Sequence, residues 1–216
     1  MKNRNTAFTI AFLIFGIQSA MAGNFSFTGN FNQDDDVKFF TFSIASPGTV
    51  TLQTLSFSGG VNAAGDSIPG GGFAPYLYLW DSAGNYLSGV EPSPVGDAVY
   101  TTDLTNLGSY IVALTENDNK AFGDLPGGVM DPAQFDHFGQ GNFTVPEYSN
   151  TPDIPGAFFA PDGSQRTSAW ALDIKFVDSA QAVGVVAVPE PGTLALAVIG
   201  MAAFRPFARR RQASGH

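Results

Sequence analysis

The residues most able to do chemistry fall in two oxygen-rich clusters. Asp34-Asp35-Asp36 is one, and Glu116-Asn117-Asp118-Asn119 with Asp124 is the other. Carboxylates, amides and backbone carbonyls are what a hard cation such as calcium collects, about six to eight at a time. The candidate calcium ligands are therefore Asp34, Asp35, Asp36, Asn117, Asp118 and Asp124. No DxDxDG loop is present to enforce a site. In an extended chain Asp34 and Asp36 point opposite to Asp35, so convergence on one ion demands a bend. The alternative for both clusters is a solvated acidic turn.

Catalysis finds less support. His137 is one of only two histidines, and the other, His216, is the final residue. Neither a GxSxG elbow, an HExxH helix nor an SxxK pair occurs. The chain has no cysteine, which excludes a thiol nucleophile and thiolate metal sites. No residue is assigned a catalytic role, although a carboxylate pair for glycoside cleavage stays open among so many acids. The glycine-rich stretch 59–72 matches neither GxxxxGK[ST] nor GxGxxG and reads as a surface loop. Of the abundant aromatics, Tyr76, Tyr78 and Trp80 share one face of a strand. They are the candidate exposed strip on which sugar rings would stack.

These side chains must be held by strands, because no helical periodicity appears between residues 23 and 188. Residues 24–28 alternate and open the series. Residues 37–44 place Phe40, Phe42 and Ile44 on one face. The turn at 46–49 then suggests a hairpin with 49–57. Residues 76–80 and 99–102 read as strands, as does 107–115 with Tyr110, Val112 and Leu114 together. From 116 to 163 the pattern fades into an elaborated loop region with one short strand at 142–145. It returns at 169–177, where Trp170, Leu172, Ile174 and Phe176 are expected inward and Asp173 and Lys175 outward. Short alternating runs between Gly/Pro turns predict an all-β fold, a single β-sandwich with long loops.

The two ends read differently. Lys2 and Arg4 precede an apolar run at 7–17, and Ala20 and Ala22 supply a small-x-small cleavage site before Gly23. That is the pattern of a secretory signal peptide over 1–22. At the other end Pro189-Glu190-Pro191 leads into an uncharged run at 193–204 and then Arg209, Arg210 and Arg211. A helix of that length reaches roughly 18 Å, short of a ~30 Å hydrocarbon core. The arginines favour the cytoplasmic side, with the preceding chain outside. The divisions expected are 1–22 signal peptide, 23–180 sandwich, 181–188 linker, 189–211 terminal signal and 212–216 tail. Of ten basic residues only Lys38, Lys120, Arg166 and Lys175 lie between the ends, against eighteen of the nineteen acids. A body with net charge near −14 repels nucleic acid and anionic membranes.

The Pro-Glu-Pro box, short apolar helix and basic terminus resemble the PEP-CTERM sorting signal. The resemblance implies Sec export in a Gram-negative bacterium, transient insertion of the C-terminal helix in the inner membrane, and cleavage by an exosortase-type membrane protease. It further implies a destination at the cell surface or in an extracellular matrix, with exopolysaccharide as a partner. The body carries a second resemblance, in residues 36–42, 48–52, Gly72-Phe73-Ala74-Pro75 with 77–81, and 166–174. These are similar to a family of PEP-CTERM β proteins named for a Phe-Asp-Pro motif and related to bacterial pre-peptidase C-terminal domains. That resemblance implies a jelly-roll-like sandwich; Ala74 stands here where the family has Asp. The expectation is a non-catalytic biofilm-associated matrix protein. A carbohydrate-binding module is the alternative and a carboxylate-based hydrolase the second.

Overall fold

The computed structural model describes residues 22–92, 96–149 and 154–183. The signal-peptide stretch up to residue 21, the whole sorting box and the arginine cluster lie outside the described residues. In chain order β1 (Gly23–Asn30), β2 (Val37–Ile44) and β3 (Gly48–Thr54) come first. The two-residue strands β4 (Gly60–Val61) and β5 (Ser67–Ile68) make a small hairpin within the glycine-rich stretch. β6 (Pro75–Asp81) and β7 (Tyr86–Val90) form a second hairpin, followed by β8 (Val99–Leu104) and β9 (Gly108–Glu116). Two 3₁₀ turns at Pro126–Gly128 and Pro132–Gln134 then precede the five-residue helix α1 (Thr144–Tyr148). β10 (Phe158–Phe159) pairs with β11 (Gln165–Arg166), and β12 (Ala169–Val177) and β13 (Ser179–Ala182) complete the order.

The long strands form two antiparallel sheets. One runs β1-β12-β3-β8 and the other β13-β2-β9-β6-β7. Strand alternation sends one set of side chains from each sheet into a shared core. β2 contributes Phe40, Phe42 and Ile44, β9 contributes Tyr110, Val112 and Leu114, and β12 contributes Trp170, Leu172 and Ile174. Phe40 meets the Trp170 indole edge-on at 5.8 Å, while Phe42 stacks on Tyr110 at 5.2 Å. β1 crosses beside that indole at Gly29, where any Cβ would collide with the ring. Glycine is required there by close approach, not by backbone conformation. The all-β expectation therefore holds, with the inward residues of β2 and β9 as expected.

Four local expectations are corrected. β2 and β3 are not a hairpin: β2 pairs with β13 and β9, whereas β3 pairs with β12 and β8. The turn reverses the chain but carries it across to the other sheet, and Asp178 accepts from the Ala45 N–H at the crossing. Residues 142–145 do not form a strand but lead into α1, because Asn142 turns to φ 66°. Phe176 does not face inward. β12 bulges where its register against β1 shifts, Phe176 takes φ 63° and is 54% exposed, and Val177 is buried in its place. Asp173 is not outward in solvent but buried. It accepts from Ser26 Oγ at 2.7 Å and from the Ala63 N–H at 2.9 Å, and pairs with Lys175 at 3.6 Å. The glycine-rich loop thus lies over β12 as a lid on that carboxylate.

The outer face of the five-stranded sheet is also covered. Phe39, Tyr76, Tyr78, Trp80, Ile111 and Ala113 pack there against Leu125 and Phe135. Residues 121–135, within the region expected to be irregular over 116–163, form this cover. It is anchored by the Ala121–Phe135 bridge and by the Leu125 N–H donating to Gly84 O at 2.8 Å. Gly84 has φ 88° and its Cα lies so close to Leu125 O that a Cβ would clash. β13 extends to Ala182, into the stretch expected as linker over 181–188. Among the described residues no helix is long and apolar enough to cross a membrane.

Candidate functional site

The parity of β9 decides what the end of the sandwich contains. Tyr110, Val112 and Leu114 point inward, and two residues on Glu116 does the same. Glu116 ends the strand opposite Pro75 and has no exposed surface. Neither of its carboxylate oxygens has a hydrogen-bond partner. Burial pushes its pKa well above the ordinary 4.5, and the facing charge of Asp34 pushes it further. The Asn117 N–H and then Arg166 pull the other way, and Asp118 adds to the rise.

Around Glu116 the two acidic clusters meet. Asp34, fully buried, accepts from the Phe143 N–H at 3.2 Å. Its other oxygen accepts from the Thr144 N–H at 2.7 Å and Thr144 Oγ1 at 2.6 Å. This carboxylate ties the β1–β2 connection to the first turn of α1, satisfying donors that a helix start leaves open. The bend required between neighbouring aspartates is present. Asp36 turns back to accept from the N–H groups of Asn32 and Gln33. Asp35 lies part-buried, its carboxyl pushed up first by burial, and its carbonyl accepts from Asn119 Nδ2 at 3.0 Å. Asn117 donates to Tyr148 Oη at 2.9 Å. Asp118, at φ 66°, accepts from the same hydroxyl and pairs with Lys120 at 2.9 Å.

The six expected calcium ligands are thus only partly assembled. Asp34 and the Asn117-Asp118 pair come to one end of the sandwich. Asp124 does not: it accepts from the Tyr86 N–H at 2.7 Å, by the turn at the far end of β6. Asp36 is occupied within its own turn. Glu116 was outside the expected ligand set, although the alternation of β9 was the signal that places it inward. Among the described residues no three or more His, Cys, Asp or Glu side chains form a metal-holding group.

The expected glycan strip is corrected. Tyr76, Tyr78 and Trp80 are 4%, 5% and 0% exposed. Phe135 packs edge-on against Tyr78 and Trp80, and the Trp80 indole donates to Gly123 O at 2.8 Å. Burial raises the proton affinity of the Tyr76 and Tyr78 hydroxyls. No sugar reaches rings sealed beneath this cover. His137 lies in the same long segment, its ring flat against Phe143 at 3.8 Å and its Nδ1 3.3 Å from Gln140 Oε1. It lines an open groove of about 530 Å³ with Gln140, Asn142, Phe143, Val145 and Glu147.

Residues 187–212 match the PEP-CTERM protein-sorting motif. That motif implies an exported protein, held in the membrane until an exosortase processes it. No curated protein matches the chain.

Proposed function

We propose that this chain is a non-catalytic surface or extracellular-matrix protein whose β body is released by exosortase cleavage and then associates with exopolysaccharide. The observation that carries the reading is the sorting motif at 187–212 following a two-sheet body. Pro189, Glu190 and Pro191 form the box and Arg209, Arg210 and Arg211 the cytoplasmic stop, with the run at 193–204 inserting in the inner membrane. Cleavage of a signal peptide after Ala22 precedes this step. The absence of a catalytic role is supported by the surroundings of the two groups best suited to proton transfer. Glu116 is sealed from solvent, and His137, at the open groove, has the Gln140 amide and not a carboxylate at its Nδ1. A general base must reach the proton it takes.

Fractionation tests the reading. In a Gram-negative host with its exosortase, intact-mass analysis should find the mature chain without 193–216, outside the inner membrane and enriched with the polysaccharide matrix. Without exosortase, or with Glu190→Ala, the full tail should remain and the protein should sediment with inner membrane. Recovery of the whole chain from cytosol would overturn export. A tail-free chain that washes freely from the matrix would overturn the polysaccharide association alone.

A further inference from the structure

Export and sorting leave Glu116 without a task. Buried carboxylates in folded proteins are paired, hydrogen-bonded or bound to metal. This one has no exposed surface and two unpartnered oxygens. The carboxylate it faces most strongly, Asp34, carries the same charge and is itself fully buried. The cation that acts on Glu116, Arg166, is committed elsewhere. Its guanidinium lies 3.6 Å over the Phe57 ring, its Nε donates to Ser164 Oγ at 3.0 Å, and Asp162 is 3.9 Å away. Asp118 is likewise tied to Lys120 and Tyr148.

A buried carboxyl facing a buried carboxylate is tolerated when a proton or a cation neutralises it, and a proton alone leaves both Glu116 oxygens without a partner. Two carboxylates are too few for zinc, which wants nitrogen or sulfur ligands as well. Calcium accepts amide and backbone carbonyl oxygens and water to complete its shell. The surroundings supply them: Asn117 is buried beside Glu116, and the chain segments 31–36, 116–119 and 142–148 meet here, held in part by Asn119, whose amide bridges Asp35 O and the His137 N–H. We propose that Glu116 and Asp34 are the carboxylate ligands of one calcium ion, completed by neighbouring amide and carbonyl oxygens, which locks these three segments together. The proposal does not depend on the export reading.

The test uses the intact chain, stripped with EGTA and titrated with CaCl₂ by calorimetry, with melting followed in parallel. The expected result is one calcium per chain and a higher melting temperature in calcium than in chelator. Glu116→Gln should weaken binding about tenfold or more and lose the calcium-dependent shift, while melting in chelator no lower than wild type. Neither heat nor a shift in millimolar calcium overturns the site, and so does a Glu116→Gln chain that binds as wild type does. Should that variant fail to fold, terbium luminescence on the wild-type chain decides. Tyr148, hydrogen-bonded to Asn117, should sensitise terbium emission that calcium displaces. Emission that is absent, or that calcium leaves unchanged, overturns the proposal.

Discussion

Glu116 gives the protein its most distinctive single-residue property. Its folded pKa lies well above the ordinary 4.5 because burial and the facing Asp34 both disfavour the anion, with Asp118 adding and the Asn117 N–H and Arg166 opposing. The folded state therefore holds this proton more tightly than the unfolded state. The stabilising contribution is complete below about pH 4.5 and is lost as pH rises through the raised value. In chelator, wild type should lose stability relative to Glu116→Gln as pH rises above the ordinary 4.5, read as the divergence of their denaturation midpoints. Parallel curves would refute this. Asp34 matters for the hydrogen bonds it accepts. Asp34→Ala strands the Phe143 and Thr144 donors and should cost about 2–4 kcal/mol in urea unfolding.

At the scale of elements, the long segment after β9 replaces the function expected of the aromatic strip. A strand with apolar residues on both faces needs two partners, and β6 has them: the opposite sheet beneath Leu77 and Leu79, and the cover above Tyr78 and Trp80. Phe135 is the fully buried hub of that cover. Phe135→Ala should destabilise by about 3–5 kcal/mol and shift tryptophan emission to the red as Trp80 gains water, while retained blue emission would deny the seal. The β4–β5 hairpin does the same for Asp173 on the other sheet. Opening it by Asp173→Ala removes acceptors for Ser26 and Ala63 and should lower the unfolding free energy by about 1–3 kcal/mol.

The whole molecule is an acidic two-sheet body joined to a terminal address. Between the ends eighteen acids face four basic residues, a field that repels polyanions within the Debye length. The released body should pass unretained over heparin at physiological salt and bind an anion exchanger tightly, and heparin retention would contradict the charge reading. The same acidity raises the local concentration of cations around the body.

How much was legible follows from the range of each interaction. Alternation is a property of neighbouring residues, so it disclosed β2, β9, β12 as strands and the all-β class, placed Phe40 and Leu172 inward, and put Val112 on one face with Tyr110 and Leu114. The Pro189-Glu190-Pro191 box with its apolar run and arginines is likewise a linear address, readable without a fold. The sequence alone did not show what lies over a strand's second face. Tyr76, Tyr78 and Trp80 were equally consistent with solvent or a cover until residues 120–135, distant along the chain, were seen folded across them. Nor did it show which sheet receives β3, that a bulge turns Phe176 outward, or that Asp34 and Glu116, more than eighty positions apart, face each other. Those outcomes depend on long-range packing and burial, which only the tertiary structure decides.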